Sequence, residues 1–364
     1  MRFPAQTLGF LLSFLPTVAV ALTHKGVDWS SLLVSESAGR SFQDVNGQTR
    51  PLEQILASNG VNTVRQRVWV GAGSTYNLDY NLRLARRAKA AGMNVYLTLH
   101  FSDSWADPGQ QTIPAGWPRD IDNLSWRLYN YTMEVGNAFA GAGVTPSIVS
   151  IGNEIRAGLL WPTGDYNNFY NMARLLHSAS SGIRDSRLGR APKIMVHLDN
   201  GWNWDTQKWF YESLLKQGPF VPGDFDQMGV SFYPFYGPDA TFANLKTSLT
   251  NMANTWGKEI IVAETNWPTS CPSPQYQFPA DVRSIPFSAD GQTQFFRRVA
   301  KIVSGVRNGN GLFVWEPAWI DNQALGSSWY EAGMGASHSS GFKDNNHYEN
   351  GLNYAPQDSL SFVP

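Results

Sequence analysis

Two glutamates stand where short apolar runs end. Ile148-Val-Ser-Ile-Gly-Asn-Glu154 closes on a glycine, an amide and an acid, and Ile260-Ile-Val-Ala-Glu264 closes on an acid followed by Thr265-Asn-Trp-Pro268. Apolar runs this short, bounded by turn residues, read as buried strands. A carboxylate at the end of such a strand is costly to bury unless something there uses it. Glu154 alone has two readings: it caps the following segment or pairs with Arg156, or it does chemistry. Two inward carboxylates facing one gap suit glycoside hydrolysis. That chemistry needs a separation of about 5 Å for retention or roughly 6.5–9.5 Å for inversion.

The elements that must position them repeat one grammar from residue 24 onward. A short apolar strand is followed by a turn and an amphipathic helix. Strands are expected at 25–29, 62–70, 94–100, 148–154, 193–199, 227–233, 259–264 and 311–316. Helices are expected at 79–91, 122–140, 166–183, 206–215, 241–255 and 291–306, with Gly92 and Gly141 as stops. Strands alternating with helices imply a parallel sheet, because parallel neighbours need a crossover. Eight such units predict an α/β fold, a single (β/α)8 TIM barrel. The competing doubly wound sheet usually carries a glycine-rich loop after its first strand, and none follows Trp29. Residues 323–364, rich in Gly, Ser and Asn, read as a long eighth loop and a closing segment.

Side chains alternate along a strand, so one set must face the barrel interior. Following that set to the C-terminal ends collects Arg67, Trp69, His100, Glu154, His197, Asp199, Tyr233, Glu264 and Trp315. Active sites of such barrels sit on that rim. Ser150 and Gly152 are small and leave room below it. A metal site built from His100, His197, Asp199 and the glutamates is the competing reading; the expectation is no metal and no cofactor.

The chain opens with Arg2, an apolar run over 8–20 and Ala19-Val20-Ala21. Residues 1–21 therefore read as a secretory signal and 22–364 as one catalytic domain. The run is short and broken by Ser13 and Pro16, which argues against a membrane anchor. Sequons at Asn123 and Asn130 are candidate glycosylation sites. Cys271 is the only cysteine, so no intrachain disulfide forms. The formal net charge is −1 with no basic tract, so neither nucleic acid nor an anionic membrane is an expected partner. Fourteen Trp and fourteen Tyr suggest platforms for the flat C–H faces of sugar rings.

Several blocks carry a resemblance. They are Lys25-Gly-Val-Asp-Trp-Ser30, Arg65-Gln-Arg-Val-Trp69, His100-Phe-Ser-Asp-Ser-Trp105, Gly152-Asn-Glu154, Ser231-Phe-Tyr-Pro-Phe-Tyr236, Glu264-Thr-Asn-Trp-Pro268 and Trp315-Glu-Pro-Ala-Trp319. From about residue 24 to the end, the chain resembles the arabinogalactan endo-β-1,4-galactanases of glycoside hydrolase family 53, in clan A. The resemblance implies a secreted, retaining enzyme acting on plant cell-wall galactan, expected to be a monomer. It implies Glu154 as acid/base and Glu264 as nucleophile, with the higher pKa on Glu154. It places Asn153 on the 2-hydroxyl of the reacting sugar, Tyr233 on the nucleophile and Trp315 beneath the sugar. Arg67 is expected near Glu264, keeping it ionised. His100 and Asp103 are further substrate-binding candidates. Trp69, Trp105, Trp267 and Trp319 serve flanking subsites or loop packing. Some bacterial relatives carry calcium and disulfides in the late loops; here Asp344 and Glu349 alone offer little for a metal. A β-1,4-glucanase or β-1,4-mannanase of the same clan, and a non-catalytic glycan-binding barrel, are the alternatives.

Overall fold

In the computed structural model, which describes residues 21–268 and 277–317, eight parallel strands close on themselves. They are β1 (His24–Asp28), β2 (Thr63–Val68), β3 (Asn94–Leu99), β4 (Ile148–Ile151), β5 (Lys193–Leu198), β6 (Gln227–Phe232), β7 (Glu259–Thr265) and β8 (Gly309–Val314). Each pairs with its sequence neighbours, and β8 returns to β1 with His24 opposite Gly311 and Val27 opposite Val314. This is the (β/α)8 barrel that the alternation of elements predicts.

Helices α1 (Leu32–Ser37) and α2 (Leu52–Ser58) follow β1, and one long helix follows each strand from β2 to β7. These are α3 (Leu78–Ala90), α4 (Ile121–Gly141), α5 (Phe169–Asp185), α6 (Trp204–Leu215), α7 (Phe242–Trp256) and α8 (Ala289–Ser304). Asn77, Asp120, Asn168, Asn203, Thr241 and Ser288 each accept a first-turn backbone N–H of their helix. Six side-chain N-caps explain why these helices start close to where the periodicity begins. Helices α1 and α2 are too short for such a stripe and are not foreseen by it.

The core has two parts. Outward residues of the strands pack against the helices, as with Val95, Leu97 and Leu99 of β3. The lumen holds a separate plug of Tyr96, Ile148, Met195, Ile261, Ala263 and Phe313, all completely buried. Two glycines make room for it. A Cβ on Gly26 would overlap the Phe313 ring, and one on Gly229 would overlap the Met195 sulfur.

One strand ends earlier than its apolar run suggests. Strand β4 stops at Ile151, because Gly152 and Glu154 take positive φ angles of 116° and 49°. The Ser150 hydroxyl donates to the Gly152 carbonyl at 2.7 Å, satisfying an acceptor freed where the ladder ends. Residues 1–20, Cys271, Trp319, the 323–364 tail, Asp344 and Glu349 lie outside the described residues.

Candidate active site

The rim is built from strand exits that bend sharply. Phe101, Glu154, Asn200 and Glu316 follow β3, β4, β5 and β8, with φ of 53°, 49°, 53° and 42°. Left-handed backbone is unfavourable for such residues and gathers at sites whose surroundings enforce it. At β4 the bend has a consequence that alternation does not predict: Asn153 and Glu154 are adjacent, yet both reach the barrel mouth.

Asn153 is locked on every side. Its Oδ1 accepts from Arg65 Nη2 at 2.7 Å and faces His197 Nδ1 at 3.2 Å. Its Nδ2 donates to the Ala106 carbonyl at 2.8 Å, and its backbone carbonyl accepts from Gln111 Nε2 at 2.8 Å. The Glu154 side chain makes no cap hydrogen bond, and Arg156 turns to Asp199 at 2.8 and 3.0 Å. Neither structural reading of Glu154 therefore holds.

The two carboxylates have opposite surroundings. Glu264 accepts from Arg65 Nη2 at 2.6 Å and from the Tyr233 hydroxyl at 2.9 Å. Glu154 has no ion-pair partner among the described residues. Burial pushes the Glu154 carboxyl well above the usual range, and the charges of Glu264 and Asp199 push it further. Burial also raises Glu264, which stays above its ordinary value, but the Arg65 charge and the Tyr233 hydrogen bond oppose the shift. The pair is therefore poised with the proton on Glu154 and the charge on Glu264.

Beneath them lies a buried ionic network. Arg65 also binds Asp28, which is completely buried. Arg67 binds Glu316 at 2.6 Å and the Ser31 hydroxyl at 2.8 Å, and approaches Asp28 at 3.5 Å. Its guanidinium lies between the Tyr76 and Trp105 rings, 4.3 and 4.4 Å from their centroids.

His100 and His197 are both held neutral, by burial first and then by the arginine charges. His100 Nδ1 accepts the Ala106 N–H at 3.0 Å, so its lone pair is used. No group of three or more His, Cys, Asp or Glu side chains suited to a metal occurs among the described residues.

Three comparisons can be set against this geometry. The model of glycosyl hydrolase family 53 matches residues 24–354. The chain is 65% identical over 309 residues to an arabinogalactan endo-beta-1,4-galactanase of Humicola insolens, covering 85% of this chain and 93% of that protein. A solved structure from a study of two fungal beta-1,4-galactanases superposes with a TM-score of 0.83 at 65% identity, over 85% of this chain and 93% of that one. The family 53 catalytic domain of Ignisphaera aggregans superposes at 0.76 with 26% identity, over 95% and 96% of the two chains. The chain belongs to glycosyl hydrolase family 53. It is a glycoside hydrolase on a single closed barrel.

Within this family 53 barrel most of the residues expected at the rim meet there. Tyr233, His100, Asn153, Glu154 and Glu264 surround the mouth. Trp69 is almost buried, edge-on to Tyr76 and Trp105 with centroids 4.6 and 5.6 Å away. Trp105 in turn lies 6.4 Å from Trp315, which stays partly exposed. Asp103 is partly exposed and accepts the Ala115 N–H at 2.8 Å, so it braces the loop after β3.

Two expectations need correction. Arg65, not Arg67, is the direct partner of Glu264, because Arg65 sits one inward step lower and points across the lumen toward β7, while the Arg67 charge favours the ionised form from farther away. Arg67 is completely buried and committed to Glu316, so it does not face a substrate. Trp267 is also completely buried: its indole N–H donates to the Pro286 carbonyl at 2.9 Å and its ring stacks on Phe295 at 5.0 Å. It packs the loop after β7 and does not form a subsite. Asp28, Glu316 and Ser231 were missed as site residues. Two inward arginines two positions apart were the signal for Asp28 and Glu316, since buried guanidinium groups need carboxylates.

Proposed function

We propose that the chain is a secreted endo-β-1,4-galactanase that hydrolyses galactan of the plant cell wall with retention of configuration. The observation that carries this reading is the unequal partnering of two rim carboxylates. Arg65 and Tyr233 favour the ionised form of Glu264, while among the described residues nothing cationic pairs with Glu154.

Glu264 then attacks the anomeric carbon of a β-1,4-linked galactosyl unit, and Glu154 protonates the departing oxygen. In the second half Glu154, now a carboxylate, takes a proton from water, which attacks the glycosyl–Glu264 ester and releases the sugar. Asn153, held rigidly by Arg65 and Ala106, presents its amide edge to the 2-hydroxyl. Trp315 lies beneath the reacting ring, and Trp69 and Trp105 extend the aromatic surface from it. The galactose preference rests on the likeness to the Humicola insolens protein.

Residues 22–364 form the catalytic domain after removal of 1–21. Asn123 and Asn130 are both exposed on α4 and accessible for glycosylation. N-terminal sequencing of enzyme from the culture medium, and its mobility after deglycosylation, test those two points. The activity is tested by reducing-sugar release from galactan, mannan and carboxymethylcellulose, with proton NMR of the first product formed. Galactan is expected to be cut and the product to appear first as the β-anomer. No release from galactan, or an α-anomer, overturns the reading.

A further inference from the structure

Arg67, Ser31 and Glu316 are buried together, and the proposed reaction uses none of them. Glu316 directly follows Trp315 and takes a left-handed φ of 42°. That conformation is uncommon for a residue with a side chain and persists where its surroundings enforce it. Here one carboxylate oxygen does the enforcing. Glu316 Oε1 accepts from the Ser31 backbone N–H at 3.0 Å, the Ser31 hydroxyl at 2.6 Å and Arg67 Nη2 at 2.6 Å. Arg67 Nη2 also donates to the Ser31 hydroxyl at 2.8 Å, so the three side chains close a ring of hydrogen bonds. Ser31 lies 285 residues before Glu316, just after β1, so the anchor exists only because the barrel closes.

The backbone of Trp315 itself is held from the opposite side. Its N–H donates to the Thr265 carbonyl at 3.0 Å, and its carbonyl accepts from Asn266 Nδ2 at 3.1 Å. Trp315 is thus tied to the end of β7 through its own peptide groups and to β1 and β2 through Glu316. Arg67 reaches the same aromatic surface by a second route. Its guanidinium lies 4.4 Å from the Trp105 ring centroid, and Trp105 lies 6.4 Å from Trp315. A planar guanidinium can bind a carboxylate with its edge and stack on rings with its face. A buried ion pair adds little net stability, because desolvation offsets the attraction. What this one supplies is geometry.

We infer that Arg67 and Glu316 are positioning residues whose buried pair fixes the bend after β8 and so aims Trp315 under the reacting sugar. Neither side chain touches the substrate. Both act through the aromatic surface above them, Glu316 through the peptide it shares with Trp315 and Arg67 through Trp105.

Trp315 as the sugar floor belongs to the proposed function, on which this inference rests, so the test separates the two. Glu316→Ala removes the acceptor of all three bonds and leaves Arg67 with Asp28 as its counter-ion. Ser31→Ala is milder: it deletes one hydroxyl and keeps both charges and the backbone N–H. Each is made alone and in a Trp315→Ala background. The readout is kcat/KM on galactan at a temperature well below each variant's Tm.

Glu316→Ala should lower kcat/KM by about ten- to a hundredfold, the scale on which a misplaced contact acts. Ser31→Ala should lower it by roughly two- to fivefold, since one of three bonds is lost. Trp315→Ala should itself lower it by at least about tenfold. In that background either substitution should change kcat/KM by less than about twofold, because residues that act through one another are not additive. A loss of the same size in both backgrounds overturns the inference, since the pair then acts elsewhere than through Trp315. So does a lower Tm with unchanged kcat/KM in both single variants, the mark of a merely structural pair. Ser31→Ala alone decides between these results if Glu316→Ala does not fold. Wild-type kcat/KM in Trp315→Ala removes the floor itself and the inference with it, an outcome distinct from the other two.

Discussion

The lumen of this barrel is lined by the same eight strands from end to end, yet its two ends are built differently. At the N-terminal end, Tyr96, Ile148, Met195, Ile261, Ala263 and Phe313 fill the space with carbon. At the C-terminal end, Asp28, Arg65, Arg67, Glu264 and Glu316 are also buried, though Glu264 keeps slight exposure, and they are charged. The apolar plug is stabilised by packing and tolerates little change of volume. The ionic cluster must offset the desolvation of each charge with well-placed partners, and as a source of stability it does no better than break even. On the proposed reading it positions charges for reaction, above the close-packed plug. The difference teaches that stability can be lost at either end, but only damage at one end should reach the chemistry.

The largest expected effects lie at the charged end. Glu264→Ala and Glu154→Ala should each lower galactan turnover by about three to five powers of ten, because under the proposed two-glutamate mechanism each removes a group that acts on the reacting atoms. Far-UV circular dichroism should be unchanged. Near wild-type turnover in either variant would sink the two-glutamate reading.

Arg65→Met should lose both stability and activity. It leaves buried Asp28 and Glu264 without their cation, which costs about 3–5 kcal/mol in urea unfolding. It should also lower kcat at least tenfold by freeing Asn153 and Glu264 to move. Phe313→Ala, at the apolar end, should cost about the same 3–5 kcal/mol through the cavity it opens. Its kcat at a temperature where it remains folded should stay within about twofold of wild type. Equal loss of kcat in the two variants would erase the distinction between the ends. Trp267→Ala belongs with Phe313→Ala: a stability loss of about 3 kcal/mol and an unchanged KM for galactan.

The smallest effect is a pH dependence. The folded state holds the Glu154 proton more tightly than the unfolded chain does. That linkage favours folding at acid pH and is lost as the pH rises through the folded-state value. Glu154→Gln should therefore match wild-type stability near pH 4 and exceed it near pH 8. Thermal melts at the two pH values decide this, and a variant less stable at both would contradict the sign.

Much of this was legible in the residues themselves. The 2.0 and 3.6 periodicities placed the eight strands and six long helices to within a few residues, because burial of one face demands that spacing. The inward set of each strand followed, and with it Tyr233, His100, His197 and Glu264 at the rim. Boundaries slipped where a backbone bend intervened, as at β4, since a left-handed residue leaves no mark in an apolar pattern.

Partnership was not legible. Arg65 and Arg67 look alike in sequence, two inward guanidiniums on one strand. Only ring closure brings β7, 199 residues away, within reach of Arg65 and leaves Arg67 to Glu316. Trp267 resembles a sugar platform until helix α8 and its Phe295 cover it. Ser231 reads as a small inward residue until β4, β5 and β6 stand side by side. The sequence by itself determined which side chains enter the lumen, because alternation along a strand is local. Which of them meet, and so which carboxyl keeps its proton, was decided by the tertiary structure, because charge pairing depends on distances across the closed barrel.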